Sequence, residues 1–192
     1  MAKDSVDKAA EHQLNLSEGE LSDLIGVEEY ERLVSLPQAL REQQQHAGGG
    51  AEALTPSSYR IEIFVRRYSR ESRPWIQFHC DSAAITVNVA CSSDDGHVGG
   101  RLACVIGGEL RHLERSEGEA TVHPSSLLHA VTAMVSGIRY SLIVFFHERE
   151  EDEAAPAAGT METASNTTLS LTACDPPLTS LPTPIPYAWA SL

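Results

Sequence analysis

Apolar residues first recur at helical spacings and then, further along the chain, at every second position. Leu16, Leu21, Leu24 and Ile25 define the first pattern. Ser17, followed three residues later by Glu20, carries the capping-box signature of a helix start. A second helical run, Val27 to Leu33, follows Gly26. Pro37 then stands where a third, short helix could open, ending near the glutamine run. The first dozen residues have no pattern and are read as frayed. The glycine triplet 48–50 is read as a flexible joint.

From Tyr59 the period becomes two. Tyr59, Ile61, Ile63 and Val65 alternate with Arg60, Glu62, Phe64 and Arg66, which predicts a strand. Further strand-like runs lie near 75–80, 84–90, 101–106, 109–114, 119–123 and 127–132, and the strongly apolar 138–146 closes the series. Gly-, Asp- and Ser-rich turns separate them, among them Gly99-Gly100 and Gly107-Gly108. Many short strands at this spacing predict a mainly β domain, a sandwich or a barrel. After His147 the sequence turns acidic and then rich in Pro, Ser and Thr, with little to form a core. The expected organisation is a helical, partly flexible leader over 1–52, a β domain over 53–147 and a disordered tail over 148–192.

Charge sharpens this division. The 192 residues carry a net charge of −13. The leader holds −7 of it and the tail −6, while 53–147 has 9 basic and 9 acidic groups. The balanced middle offers no basic face for nucleic acid, and acidic flanks repel phosphate. No stretch approaches the roughly 20 apolar residues of a membrane-spanning helix, and the N-terminus lacks the apolar core of a secretory signal. The expectation is a cytoplasmic protein without membrane or nucleic-acid partners. Cys80, Cys91, Cys104 and Cys174 form no CxxC pair and are read as reduced thiols, the first three as small buried residues.

The candidate chemistry lies in the middle region. In His79-Cys80-Asp81, alternation along a strand sends His79 and Asp81 to one face and Cys80 to the other. An imidazole and a carboxylate side by side supply two cis ligands to a metal. A histidine from another strand would complete a two-His, one-carboxylate facial triad with open positions, a non-haem Fe(II) arrangement. His129, between apolar neighbours in LLHAV, can be that ligand or a core histidine. Arg139 points inward from an apolar strand with Ser141 on the same face. A buried guanidinium needs an anion, and the hydroxyl adds a donor. A structural salt bridge is the alternative.

Taken together, HCD at 79–81, His129 and Arg139-Tyr140-Ser141 resemble the iron- and 2-oxoglutarate-dependent dioxygenases, in particular their prolyl 4-hydroxylase-like branch. The RRYS run, the TVNVA strand, the Gly99-Gly100 turn and GEATVHPSSLLHAV keep the order seen in that family, over roughly residues 58–147. The resemblance implies a double-stranded β-helix, the jelly-roll or cupin-like barrel, buttressed by N-terminal α-helices. It implies Fe(II) on His79, Asp81 and His129, with Arg139 as the catalytic partner that binds the distal carboxylate of 2-oxoglutarate. Ser141 or Tyr68 would support that carboxylate, and Thr86 and Asn88 would line the pocket, Asn88 as the better polar contact. The implied cosubstrates are 2-oxoglutarate and O2, with ascorbate as a reductant. The implied reaction is hydroxylation of a prolyl or lysyl side chain of a protein or peptide, with release of succinate and CO2. Arginine where collagen-type prolyl hydroxylases carry lysine leaves the substrate open. A free amino acid or other small molecule is the variant, and a non-catalytic cupin-like binding barrel is the competing class. A nucleic-acid demethylase is disfavoured by the neutral charge and by the lack of a second arginine shortly after Arg139.

The remaining candidates receive plainer readings. His123 is an ordinary strand end, His97 and His112 are exposed, and Trp75 is core or pocket rim. Arg66, Arg67, Arg70 and Arg73 form a solvated basic cluster.

Overall fold

The computed structural model describes residues 12–46, 59–149 and 188–191. A short strand β1 (Gln13–Leu16) leads into helices α1 (Glu18–Ile25) and α2 (Val27–His46). The strands that follow are β2 (Tyr59–Ser69), β3 (Ile76–His79), β4 (Ile85–Ala90), β5 (Val98–Gly99), β6 (Leu102–Ile106), β7 (Glu109–Leu113), β8 (Glu119–Pro124), β9 (His129–Val131), β10 (Met134–Ser136), β11 (Ile138–Glu148) and β12 (Ala188–Ser191). They form a six-stranded sheet in the order β1-β2-β11-β4-β8-β12, a four-stranded sheet in the order β3-β9-β6-β7, and the pair β5-β10. Every pairing is antiparallel. This is the double-stranded β-helix.

The larger sheet is buried on both faces, which explains its near-continuous apolar runs. Val87, Val89, Val122, Leu142, Val144 and Phe146 point outward onto Leu21 of α1 and Leu33 of α2. The alternate positions point into the barrel and are far more polar: Arg66, Tyr68, Thr86, Asn88, Thr121, His123, Arg139 and Ser141 are all buried. One sheet thus carries an oily back for the helices and a polar front toward the barrel interior.

Helix α1 begins as expected. The Ser17 hydroxyl accepts from the Glu20 amide, and Glu20 accepts from the Ser17 amide. It ends at Gly26, whose φ of +92° suits glycine. Tyr30 of α2 donates to Glu18 of α1 and ties the two helices together.

Several expectations need correction. Pro37 does not open a third helix; it lies inside one continuous α2. Leu33 and Pro37, four residues apart, are both fully buried, so packing offsets the hydrogen bond the proline ring removes. Leu16 does not open the helical run: residues 13–16 form a strand that pairs with β2 from Gln13↔Arg66 to Leu16↔Ile63. Within the expected tail, β12 adds an edge to β8, and Glu148 completes β11. The glycine triplet and residues 150–187 lie outside the described residues. Among the described residues no helix is long and apolar enough to cross a membrane.

The Gly99-Gly100 turn is required by close approach. A Cβ on Gly99, at φ +76°, would stand 2.0 Å from the Ala133 carbonyl oxygen. One on Gly100 would stand 2.1 Å from Met134 Sδ and 3.5 Å from Arg139 Cδ.

Candidate metal centre and anion pocket

His79 closes β3 and faces His129, which opens β9, across the ladder of the smaller sheet. Their rings are 4.3 Å apart, centre to centre. Asp81 follows two residues after His79 and points back between them. His79 Nε2 is 3.5 Å from Asp81 Oδ1, and His129 Nε2 is 3.7 Å from Asp81 Oδ2. One ligand atom from each of the three lies within 4.8 Å of the others, the spacing of a metal-binding set.

The backbone prepares these imidazoles for ligation. His79 Nδ1 is 2.8 Å from the Gln77 carbonyl, and His129 Nδ1 is 3.0 Å from the Leu127 carbonyl. A carbonyl only accepts, so each Nδ1 carries the proton and each Nε2 keeps its lone pair toward Asp81. Thr86 Oγ1 donates to Asp81 Oδ2 at 2.7 Å and fixes the carboxylate. Burial works against the charge on Asp81, but His79, His129, His123 and Thr86 outweigh it and hold the carboxyl well below its usual range. Burial pushes His129 down to about 4, helped by His123 and opposed by Asp81. Ionised carboxylate and neutral imidazole are the forms that bind a metal.

At the other end of the polar face lies Arg139, 1% exposed. None of its three guanidinium nitrogens has a hydrogen-bond partner among the described residues, and the Ser141 hydroxyl is equally unpartnered. The guanidinium stacks on the ring of Tyr68 at 4.8 Å. Burial lowers its pKa, while Tyr68 and Asp94 act the other way. Orphaned donors on a buried cation call for an anion.

A second arginine, which the sequence reading passed over, serves the same end. Arg115 is 3% exposed and sits in a connection crowded with Glu114, Ser116 and Glu117, where nothing in the pattern marks it. Its Nη1 donates to Asn88 Oδ1 at 2.9 Å, and its Nε and Nη2 are unpartnered. Burial and the charge of Arg139 push it down to about 10, against the pull of Asp94, so it stays cationic at neutral pH. Asp94 holds it in place by accepting from the Arg115 amide at 3.2 Å, and also binds Arg101 at 3.0 Å. Asn88 is therefore engaged by Arg115.

Other placements differ from expectation. Arg66 and Arg73 are buried rather than solvated, and Arg66 Nη2 donates to Gln13 of β1. His97 is buried, its Nε2 3.5 Å from Asp94 Oδ1, so it answers a buried carboxylate; His112 is exposed as expected. Among the described residues Cys80 and Cys91 are exposed, and Cys104 is buried. Trp75 is 53% exposed and is not core.

His123 is not an ordinary strand end. It stands opposite Thr86 across the β4–β8 ladder, 2% exposed, its ring 4.8 Å from that of His129. Alternation along β8 gave the missed signal. Ala120 and Val122 face the helices, so Thr121 and His123 face the barrel.

Two cavities meet at His129. One, lined by Tyr68, His79, Asp81, Thr86 and Asn88, measures about 10 Å³, room for one water. The other measures about 170 Å³ and is mainly apolar, walled by Leu102, Ile106, Leu113, Val122 and Leu127, with His123 and Arg111 among its lining.

The chain shares its fold with a prolyl-4-hydroxylase from Pseudomonas putida, at a TM-score of 0.51 and 16% identity, over 77% of each chain. A 2OG-Fe(II) oxygenase family oxidoreductase from Burkholderia pseudomallei aligns at a TM-score of 0.43 and 20% identity, over 62% of this chain and 55% of that one. An oxalate decarboxylase from Bacillus subtilis aligns at 0.36 and 19%, over 52% of this chain and 24% of that one. The chain thus spans about half the length of the Burkholderia protein and a quarter of the decarboxylase. No protein-family profile and no curated protein matches the sequence.

Proposed function

We propose that this chain is an Fe(II)- and 2-oxoglutarate-dependent dioxygenase that hydroxylates a side chain of a protein or peptide. The observation that carries the reading is the pairing of two sites in one barrel. A two-His, one-carboxylate set stands at one end, and a buried arginine and serine without partners stand at the other. His79, Asp81 and His129 would hold the iron. Arg139 and Ser141 would bind the distal carboxylate of the cosubstrate, with Tyr68 beneath the guanidinium and Arg115 adding a second positive charge. When bound, iron and 2-oxoglutarate supply the chemistry: oxygen-dependent decarboxylation to succinate and CO2, coupled to hydroxylation of a substrate C–H bond. The protein's part is to orient the ligands through the Gln77 and Leu127 carbonyls, keep Asp81 ionised, and exclude water from the barrel. The cavity of about 10 Å³ is tight, so cosubstrate enters only as side chains in its wall turn aside.

The apolar cavity beside His129 favours a prolyl over a lysyl target. An ammonium there would meet the cationic Arg111 and no lining carboxylate. A free amino acid or other small molecule would face the same preference. The tightness of the inner cavity favours one competing reading, a non-catalytic cupin-like barrel.

Succinate formation from 2-oxoglutarate, with Fe(II) and ascorbate in air, separates the two. The dioxygenase reading requires succinate from the parent and none from Asp81→Ala or Arg139→Ala. Absence of both turnover and 2-oxoglutarate binding to the iron-loaded parent would leave the non-catalytic barrel.

A further inference from the structure

We infer that the proline run near the end of the sequence is a substrate of its own chain. A proline among Pro182, Pro184 and Pro186 enters the apolar cavity beside His129 and is hydroxylated there, within the same molecule. The inference rests on the function proposed above and names the target of that site.

Sequence and topology together supply the occupant. Five of the ten prolines lie between Pro176 and Pro186, and nothing from Pro176 to Tyr187 is charged. Residues 176–187 lie outside the described ones, but the strand that follows them is described. β12 pairs antiparallel with β8, Trp189 opposite Thr121 and Ala188 opposite Val122. The next residue along β8 is His123, whose Nε2 lies 3.9 Å from Asp81 Oδ2. Because the pairing is antiparallel, the chain enters β12 from the end of the ladder where His123 and the metal ligands stand. Every second residue from 182 to 186 is proline, which has no N–H with which to extend that ladder.

The cavity suits the ring and lies within reach. It measures about 170 Å³. A cavity of roughly 150 Å³ takes up benzene, so a pyrrolidine ring fits. Thr121, Val122 and His123 of β8 line it, and so does His129. It therefore adjoins both the strand that holds β12 and one of the candidate metal ligands. Arg111 in its wall is paired with Glu109 at 3.1 Å, and an uncharged segment leaves that pair undisturbed. Pro186, Pro184 and Pro182 stand two, four and six residues before Ala188. Six residues span up to about 20 Å, against about 5 Å from one strand to the next. Such a short tether gives an effective concentration in the millimolar range, which offsets the weak hold of a mainly apolar cavity.

The reaction balances with the cosubstrates already named. A ring C–H bond becomes C–OH, with one atom of O2 in the hydroxyl and the other in succinate. O2 takes up four electrons, two from the ring carbon and two from 2-oxoglutarate as CO2 leaves.

The first test needs no turnover. The full chain, carbon-13-labelled at proline and histidine, is loaded with Zn(II) or with paramagnetic Mn(II) and compared by NMR. Mn(II) should broaden the signals of Pro182, Pro184 and Pro186, identified by single Pro→Ala variants, together with the rings of His79 and His129. Sharp proline signals beside broadened histidine rings would overturn the inference; sharp histidine rings would instead sink the metal centre. The second test adds Fe(II), 2-oxoglutarate and ascorbate in air. Mass spectrometry should find one added oxygen atom on a proline of 182–186, at a rate per molecule independent of protein concentration. Succinate without that oxygen would refute the inference and leave the dioxygenase standing, and absence of both would sink the two together. A rate rising in proportion to concentration would overturn hydroxylation within one molecule.

Discussion

The guanidinium of Arg139 lies 4.8 Å over the ring of Tyr68, its direct partner in the β2–β11 ladder. The pair aims a cation at the barrel interior without giving it a counter-ion, so stability and ligand binding pull in opposite directions. Arg139→Met should keep or raise the stability of the ligand-free protein, by up to about 4 kcal/mol, because it removes an uncompensated buried charge. The same change should abolish 2-oxoglutarate binding. Urea unfolding and calorimetric titration check the two halves; a strongly destabilised variant would mean that Arg139 already has its counter-charge.

Arg115 should act on the cosubstrate at one remove from Arg139. Arg115→Met takes away a second positive charge and frees Asn88 Oδ1. The KM for 2-oxoglutarate should rise about tenfold, equivalent to ~1.4 kcal/mol of binding, with kcat nearly unchanged at saturation. Steady-state kinetics that show kcat falling while KM stays put would assign Arg115 to the chemistry instead.

The metal-free protein should lose stability in mild acid. His129 is held down to about 4, below the 6.5 of an exposed imidazole, by burial and by His123. Between those values the unfolded chain binds a proton that the folded chain refuses, so stability is full above about pH 6.5 and falls as pH drops toward 4. The loss is on the order of 3 kcal/mol. His123, also pushed down by burial, adds to it, and Asp81 contributes a further loss in stronger acid because its folded carboxyl lies below the normal range. Urea midpoints in EDTA across pH 4–7 would show the slope, and a flat profile would contradict it.

Gly99 and Gly118 separate backbone strain from collision. Both have positive φ, +76° and +86°. A Cβ on Gly118 meets nothing within 4 Å, whereas one on Gly99 meets the Ala133 carbonyl at 2.0 Å. Gly118→Ala should cost about 1 kcal/mol and Gly99→Ala clearly more. Equal losses in urea unfolding would mean that the β5–β10 pair yields easily.

The sequence carried the strands well, because alternation survives on any strand with a defined inside and outside. The runs at 84–90, 101–106, 109–114 and 138–146 fall on β4, β6, β7 and β11. The short pieces β5 and β10 hold too few residues for a period to appear, and β1 was hidden by its closeness to α1. Pro37 misled because its cost is repaid by tertiary burial beside Leu33, which no local rule sees. His79, Asp81, His129 and Arg139 were visible as residue types at telling spacings, and the fold brings the first three together. Arg115 was not, since a loop arginine among acids looks like any solvated one. Whether Cys80, Cys91 or Trp75 lay inside could not be read from residue type, because the path of the connections beside them decides it.

Among the described residues the two sheets of the barrel share no ladder. His79 and His129 belong to the smaller one, Thr86 and His123 to the larger, and Asp81 lies in the connection between them. An ion at their meeting point would rivet the layers together at that end. Supply of that ion would then set how long the chain survives proteases.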